Sequence, residues 1–274
     1  MTDTLPTYRV KARNTSSTGE NAIHDDATAR RYGFAGGLVP GVMVYAYLTQ
    51  PLVSAFGHAW LTRGTASVRF VKPALDGEEL TVHGTVTARD AGGITARLTA
   101  GTPATPECAT LTATVPAGQP TPVNMAMYPA APLPDVRPAA SRAHLASLSA
   151  LGTPRALYDA ARAAEYLAKV EDALAVYRGP AAAVHPGFYL EQANRALDRN
   201  VQMGPWIHVG SVVRHLGSAR VGSTLAARGR VRSLWEKKGR DFVELDIAIL
   251  ANGKPVAHVL HTAIYRLPAP EESS

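Results

Sequence analysis

Residues 39–56, VPGVMVYAYLTQPLVSAF, are apolar around nearly the whole circumference of a helix. That pattern predicts a helix buried on all sides. Pro40 suits its first turn, where the missing N–H has no partner to lose. Gln50-Pro51 is expected to kink or end it. The period then changes. TASVRFVKPAL (65–75), EELTVHGTVTAR (78–89), GITARLTAG (93–101) and CATLTATV (108–115) alternate and are rich in Thr and Val, which predicts strands. One long helix followed by an antiparallel meander is satisfied by a sheet curled around a single buried helix.

The same unit comes twice. Val39-Pro40-Gly41 is echoed by His185-Pro186-Gly187, Asp26-Ala27 by Asp172-Ala173, Trp60 by Trp206 and Gly64 by Gly210, all at one offset. After a one-residue slip, Gly77, Leu80, Gly84 and Val86 match Gly222, Leu225, Gly229 and Val231. Ordered matches of Pro, Gly and Trp read as a duplication. We place a first domain at 1–116, a semi-rigid Pro/Ala-rich linker at 117–140 and a second domain at 141–270. In the second copy SVVRHLGSAR, STLAARGRVRSLWE, DFVELDIAIL and KPVAHVLHTAIYRL take the strand positions, and Asn252-Gly253 suits a type I′ hairpin. Its central helix, HPGFYLEQANRALDRN, is amphipathic, and a further helical stretch, PRALYDAARAAEYLAKVEDALAVY, precedes it.

Composition narrows the classes. The 274 residues are 46% hydrophobic and 18% charged, with a net charge of +6, which fits a globular protein and an anionic ligand. No block of Lys and Arg argues for nucleic acid. The one cysteine, Cys108, cannot form an internal disulfide, and no Cys/His cluster has metal spacing. The N-terminus has no signal-peptide pattern and no apolar run reaches membrane-spanning length. A cytoplasmic protein without a metal, a membrane or a nucleic-acid partner is expected.

The densest polar stretch, STGENAIHDDATARRYGFAGGLVPG (17–41), leads into the buried helix. It is either a catalytic loop or a polar turn. At the repeat offset His24 falls on Val170, so whatever His24 does is done once per chain. Taken alone, a His before a buried helix is more often structural, and Glu20 is a loop acid by default. Asp25 and Asp26 read as helix-start acids. Gly41 recurs as Gly187, so a structural need for glycine is general there. His185, His208 and His215 could form a second polar site, although isolated strand histidines are more often packing groups.

Asn21-Ala22-Ile23-His24-Asp25, the run YGFAGGLVPGVMVYAYL and the segment RFVKPALDGEELTVHGTV together resemble the MaoC-type (R)-specific enoyl-CoA hydratase/dehydratase family. The resemblance implies an α+β tandem, or double, hotdog fold, each half an antiparallel sheet wrapped around a long central helix. It covers the first copy; the second is a degenerate hotdog. The implied reaction adds water to a 2-enoyl thioester, or removes it from a 3-hydroxyacyl thioester. It needs a base, an acid and donors for the thioester oxygen. The resemblance casts His24 as the proton-transfer group, Asn21 as the loop or water anchor and the Gly41 N–H as the oxyanion donor. The family's Asp position is Gly19 here and its Pro is Ala22, so either Glu20 takes the acid role or the acid is missing. Val39, Val42 and Tyr45 are expected to line the acyl tunnel. Arg63, Arg69 and Lys72, with Arg30 and Arg31, are candidates for phosphate contacts. No cofactor is expected beyond the coenzyme A or phosphopantetheine carried by the substrate. The implied partners are an acyl thioester, an acyl carrier protein as the alternative carrier, and a second copy of the chain in a homodimer. Two other readings remain open: a hotdog thioesterase, which directs water at the carbonyl with a carboxylate, and a non-catalytic acyl-binding or assembly subunit.

Overall fold

The computed structural model describes residues 4–17 and 19–268. Ten strands form one sheet in which every pairing is antiparallel. The first half supplies β1 (Tyr8–Lys11), a short α1 (Asp26–Arg31), the long α2 (Gly41–Arg63), β2 (Thr65–Phe70), β3 (Glu79–Asp90), β4 (Gly93–Gly101) and β5 (Ala109–Pro116). The second supplies α3 (Arg142–Ser147), β6 (Arg155–Tyr158), α4 (Ala160–Val170), α5 (Pro186–Asp198), β7 (Ile207–His215), β8 (Ser223–Lys237), β9 (Arg240–Ala251) and β10 (Lys254–Arg266). The strand order is β1-β3-β4-β5-β2-β7-β10-β9-β8-β6. Reading outward from the middle, each half repeats the other's connectivity, so the duplication seen in sequence is a duplication of topology.

The sheet wraps a pair of crossing helices. Residues of α2 from Val42 to Leu48 are all buried, as the all-round apolar pattern requires. The helix runs on through Pro51, and its axis breaks instead at Gly57, which adopts φ 51°. At Gly187 a Cβ would lie 2.7 Å from the Ala46 Cβ and 2.4 Å from the Tyr166 hydroxyl. Glycine there lets α5 press against α2. In the second half Asn252 and Gly253 both have positive φ, as a type I′ hairpin demands. The predicted strand SVVRHLGSAR begins earlier, at Ile207. The long helical stretch before α5 divides into β6, α4 and a single 3₁₀ turn at Ala175–Tyr177. The Pro/Ala-rich segment lies on the sheet: Tyr128 is buried, and its hydroxyl donates to Asp246 Oδ1 at 2.7 Å.

Two features fuse the halves. β2 pairs with β7 from Thr65↔Arg214 to Arg69↔Gly210, making the two sheets one. Beyond the end of that ladder, Asn21 grips the backbone of Trp206 from both sides. Its Nδ2 donates to the Trp206 carbonyl at 2.9 Å, and its Oδ1 accepts from the Trp206 N–H at 3.1 Å.

Two outcomes follow from this packing. Asn21→Ala leaves both Trp206 backbone groups without that partner, and should lower the unfolding free energy by about 1–3 kcal/mol in denaturant titrations. The second concerns acid. His215 is fully buried against Trp60, ring centroids 4.6 Å apart, and neither ring nitrogen has a partner. Burial pushes its pKa from 6.5 down to about 3. The unfolded chain therefore binds a proton here that the folded chain refuses. Stability present above pH 6.5 is lost as pH falls toward 3. In His215→Leu, the loss of unfolding free energy between about pH 7 and pH 4 should be smaller than in the wild type.

Candidate functional site

The loop before α2 is built by its own polar residues. Asn21 Oδ1 accepts from Ile23 N at 3.4 Å and starts a 3₁₀ turn at Ala22–His24. Asp25 then caps α1, its Oδ1 accepting from Thr28 N at 2.8 Å. Asp26 Oδ1 accepts from Gly37 N at 2.8 Å and folds the chain back. A Cβ at Gly37 would come within 2.2 Å of the His24 carbonyl oxygen. Only glycine permits that approach.

This compression fixes the His24 ring. Its Nδ1 lies 2.7 Å from the Leu38 carbonyl oxygen. A carbonyl can only accept, so the proton sits on Nδ1 and Nε2 carries the lone pair. The second Asn21 Nδ2 hydrogen points to Nε2 at 3.3 Å. Burial lowers the His24 pKa, partly offset by the Leu38 hydrogen bond. The ring is therefore neutral at physiological pH, with its acceptor at Nε2.

His24 lines a cavity of about 730 Å³ between the halves. Apolar walls come from Val39, Val44, Phe70, Trp206, Phe242 and Ile264. The N-terminus of α2 opens into it at Gly41, and no side chain caps that helix end. Its first N–H groups lack intrahelical partners and carry the positive end of the helix dipole. Four cationic side chains border the cavity: Arg30, Arg31, Lys72 and Arg240. Among the described residues no Asp or Glu lines it.

The structure brings His24, Asn21, Gly41, Val39 and Lys72 to this one space. Glu20 is elsewhere. Its carboxylate is 70% exposed and accepts from Arg137 Nη1 at 2.7 Å, which holds its pKa down. Asp198 is the nearest alternative on α5, one turn beyond the cavity-lining Asn194. Burial pushes its pKa up to about 6, but it does not line the cavity. Val42 and Tyr45 face the interior core rather than the cavity, and Val44 takes the wall position. Arg63 sits at the opposite end of α2, roughly 30 Å away along the helix, with Nε donating to the Pro116 carbonyl at 2.8 Å. Arg69 alternates with the buried Val68 on β2, so it faces outward into a separate shallow groove.

In the second half the equivalent helix start is capped. His185 Nδ1 accepts from the Gly187 N–H at 3.1 Å, consuming the donor that Gly41 leaves free. His185 Nε2 lies 3.3 Å from the buried Asp172 Oδ2, and Tyr166 and Tyr177 pack around the ring. His185, His208 and His215 thus form no common site. His185 plugs the second helix start, His215 packs on Trp60, and His208 alone reaches the cavity. Sequence reading missed the second-half contributors Asn194, Trp206, Ile207 and Arg240, because nothing local in the sequence marks residues that only the β2–β7 seam carries there.

No family model and no curated protein matches the chain. Solved structures do. It is similar to a MaoC domain protein dehydratase from Chloroflexus aurantiacus, with TM-score 0.69 and 12% identity over 98% of this chain and 95% of that one. It is similar to a Mycobacterium tuberculosis protein described as a double hotdog fold, with TM-score 0.62 and 14% identity over 95% and 96% of the two chains. An oleoyl thioesterase from Lactobacillus plantarum aligns with TM-score 0.54 and 10% identity over 97% and 98%. At such identities the likeness is one of fold: this chain is an α+β double hotdog, an architecture found in both MaoC-like dehydratases and thioesterases.

Proposed function

We propose that the inter-half cavity takes an acyl thioester, and that His24 acts there as the sole proton-transfer group of a 2-enoyl-thioester hydratase/dehydratase. The observation that carries this reading is a convergence in one space. A neutral imidazole whose Nε2 lone pair meets only the Asn21 amide, an uncapped helix start and four cationic side chains all border the same apolar cavity. The apolar walls suit the acyl chain. The Gly41 N–H suits the thioester oxygen, and the cations suit the phosphates of coenzyme A or phosphopantetheine.

With one base the steps are fully defined. His24 Nε2 takes a proton from water as the water oxygen bonds to the β-carbon. The double-bond electrons move onto the thioester oxygen, held by the Gly41 N–H. The imidazolium then returns the same proton to the α-carbon. Dehydration is the reverse. A thioesterase of the kind that directs water with a carboxylate finds no Asp or Glu among the described lining residues. That same feature favours a second reading, acyl binding without turnover.

Assays with crotonyl-CoA separate the three. Loss of the enoyl absorbance with the thioester intact is expected. Free thiol release would mark a thioesterase, and saturable binding with neither would mark a binding subunit. His24→Ala should lower turnover ~10²–10⁴-fold, whereas Glu20→Gln should leave it within about twofold, as for an exposed surface ion pair. Equal losses in both variants would contradict the single-base reading. Because burial depresses the His24 pKa, the acid limb of the kcat/KM profile should fall below pH 6.5.

A further inference from the structure

His208 sits at the start of β7, from the half that lacks the polar loop, and is 6% exposed. Its Nε2 lies 3.2 Å from the Gly210 carbonyl oxygen and 2.9 Å from Ser211 Oγ. The carbonyl can only accept, so Nε2 carries the hydrogen and Nδ1 the lone pair. Phe70 meets the ring edge-on at 4.8 Å and His261 stacks on it at 4.1 Å. The ring is held by a stacked and an edge contact, and Nδ1 has no hydrogen-bond partner.

The position of that lone pair is specific. A Cβ at Gly41 would lie 3.0 Å from Nδ1. Nδ1 therefore lies beside the Gly41 Cα at the start of α2, and His208 lines the cavity that His24 also lines. A buried acceptor left unpaired is costly, and a ligand that supplies a donor removes the cost. Burial and the neighbouring His261 also keep the ring neutral. So weakly basic a group is a hydrogen-bond acceptor rather than a general base.

On the acyl-thioester reading, the reactive end of the ligand offers few donors. Its sulfur and carbonyl oxygen only accept. A 3-hydroxyl belongs to the β-carbon, where His24 works. The remaining donor is the amide N–H that follows the sulfur by a two-carbon link in a cysteamine or pantetheine arm. We infer that His208 Nδ1 accepts this amide N–H while the adjacent Gly41 N–H donates to the thioester oxygen. The pair would read the carrier arm and set the register of the acyl chain against His24. His208 is thus a specificity and positioning residue, contributed by the half that carries no reactive loop. The inference rests on the acyl-thioester reading but not on any turnover.

The test uses two matched, saturated probes: S-butanoyl-N-acetylcysteamine, and its ester analogue, in which oxygen replaces the amide N–H. Kd values come from ligand-observed NMR titration of the full chain. The amide should bind the wild type about 10-fold more tightly than the ester. In His208→Phe, which keeps a flat ring against Phe70, the ratio should collapse to about one. His208→Asn, which restores a polar side chain near the Nδ1 position, should recover part of it. The wild-type comparison stands even if a variant fails to fold. Equal wild-type affinities, or an unchanged ratio in a folded His208→Phe, would overturn the inference while leaving the acyl-thioester reading intact. Binding of neither probe would contradict that reading and the inference with it.

Discussion

The β2–β7 ladder is the constraint on which the rest depends. Five antiparallel residue pairs, Thr65↔Arg214 to Arg69↔Gly210, turn two curled sheets into one. They also bring the start of β7 beside the start of α2. Without that register Trp206 would not reach Asn21, and His208 would not face Gly41. The cavity has no existence in either half alone. Its loop, helix end and part of its cationic rim come from the first, while Asn194, Trp206, His208 and Arg240 come from the second.

The two halves differ at their helix starts. Both halves start a helix with Pro-Gly, but Gly187 packs on Ala46 of the partner helix, whereas Gly41 lies against His208 and Phe70. In the second half that helix start is closed by a His185 cap braced by Asp172. In the first, Val39 occupies the position equivalent to His185 and offers no acceptor, so no side chain caps the helix start. A small change in side-chain chemistry separates a structural helix end from one available to a ligand.

Much of this was legible in the chain. The all-round apolar run could only be an enclosed helix, and the Thr/Val alternation marked the long strands within a few residues. The four-residue β1 and β6 were too short to carry a period. Within the site, residues on the loop and at the helix start could be named, because local sequence places them. Glu20 could not be oriented by sequence, because its direction is set by a partner 117 residues away, Arg137, which holds it outward. Arg63 and Arg69 are near the loop in sequence but not in space, one carried off by helix length and the other by strand alternation. Arg240 and His208 lie far along the chain and arrive through sheet topology.

The central claim is that an acyl thioester lies between the halves with its carbonyl on the first amide of α2. A crystal structure with a non-cleavable ketone analogue of butanoyl-CoA tests it most directly. The account predicts the ketone oxygen within about 3 Å of Gly41 N, the acyl chain beside the His24 ring, and the phosphates among Arg30, Arg31, Lys72 and Arg240. A ligand seated outside this cavity, or one whose carbonyl turns away from Gly41, would contradict it.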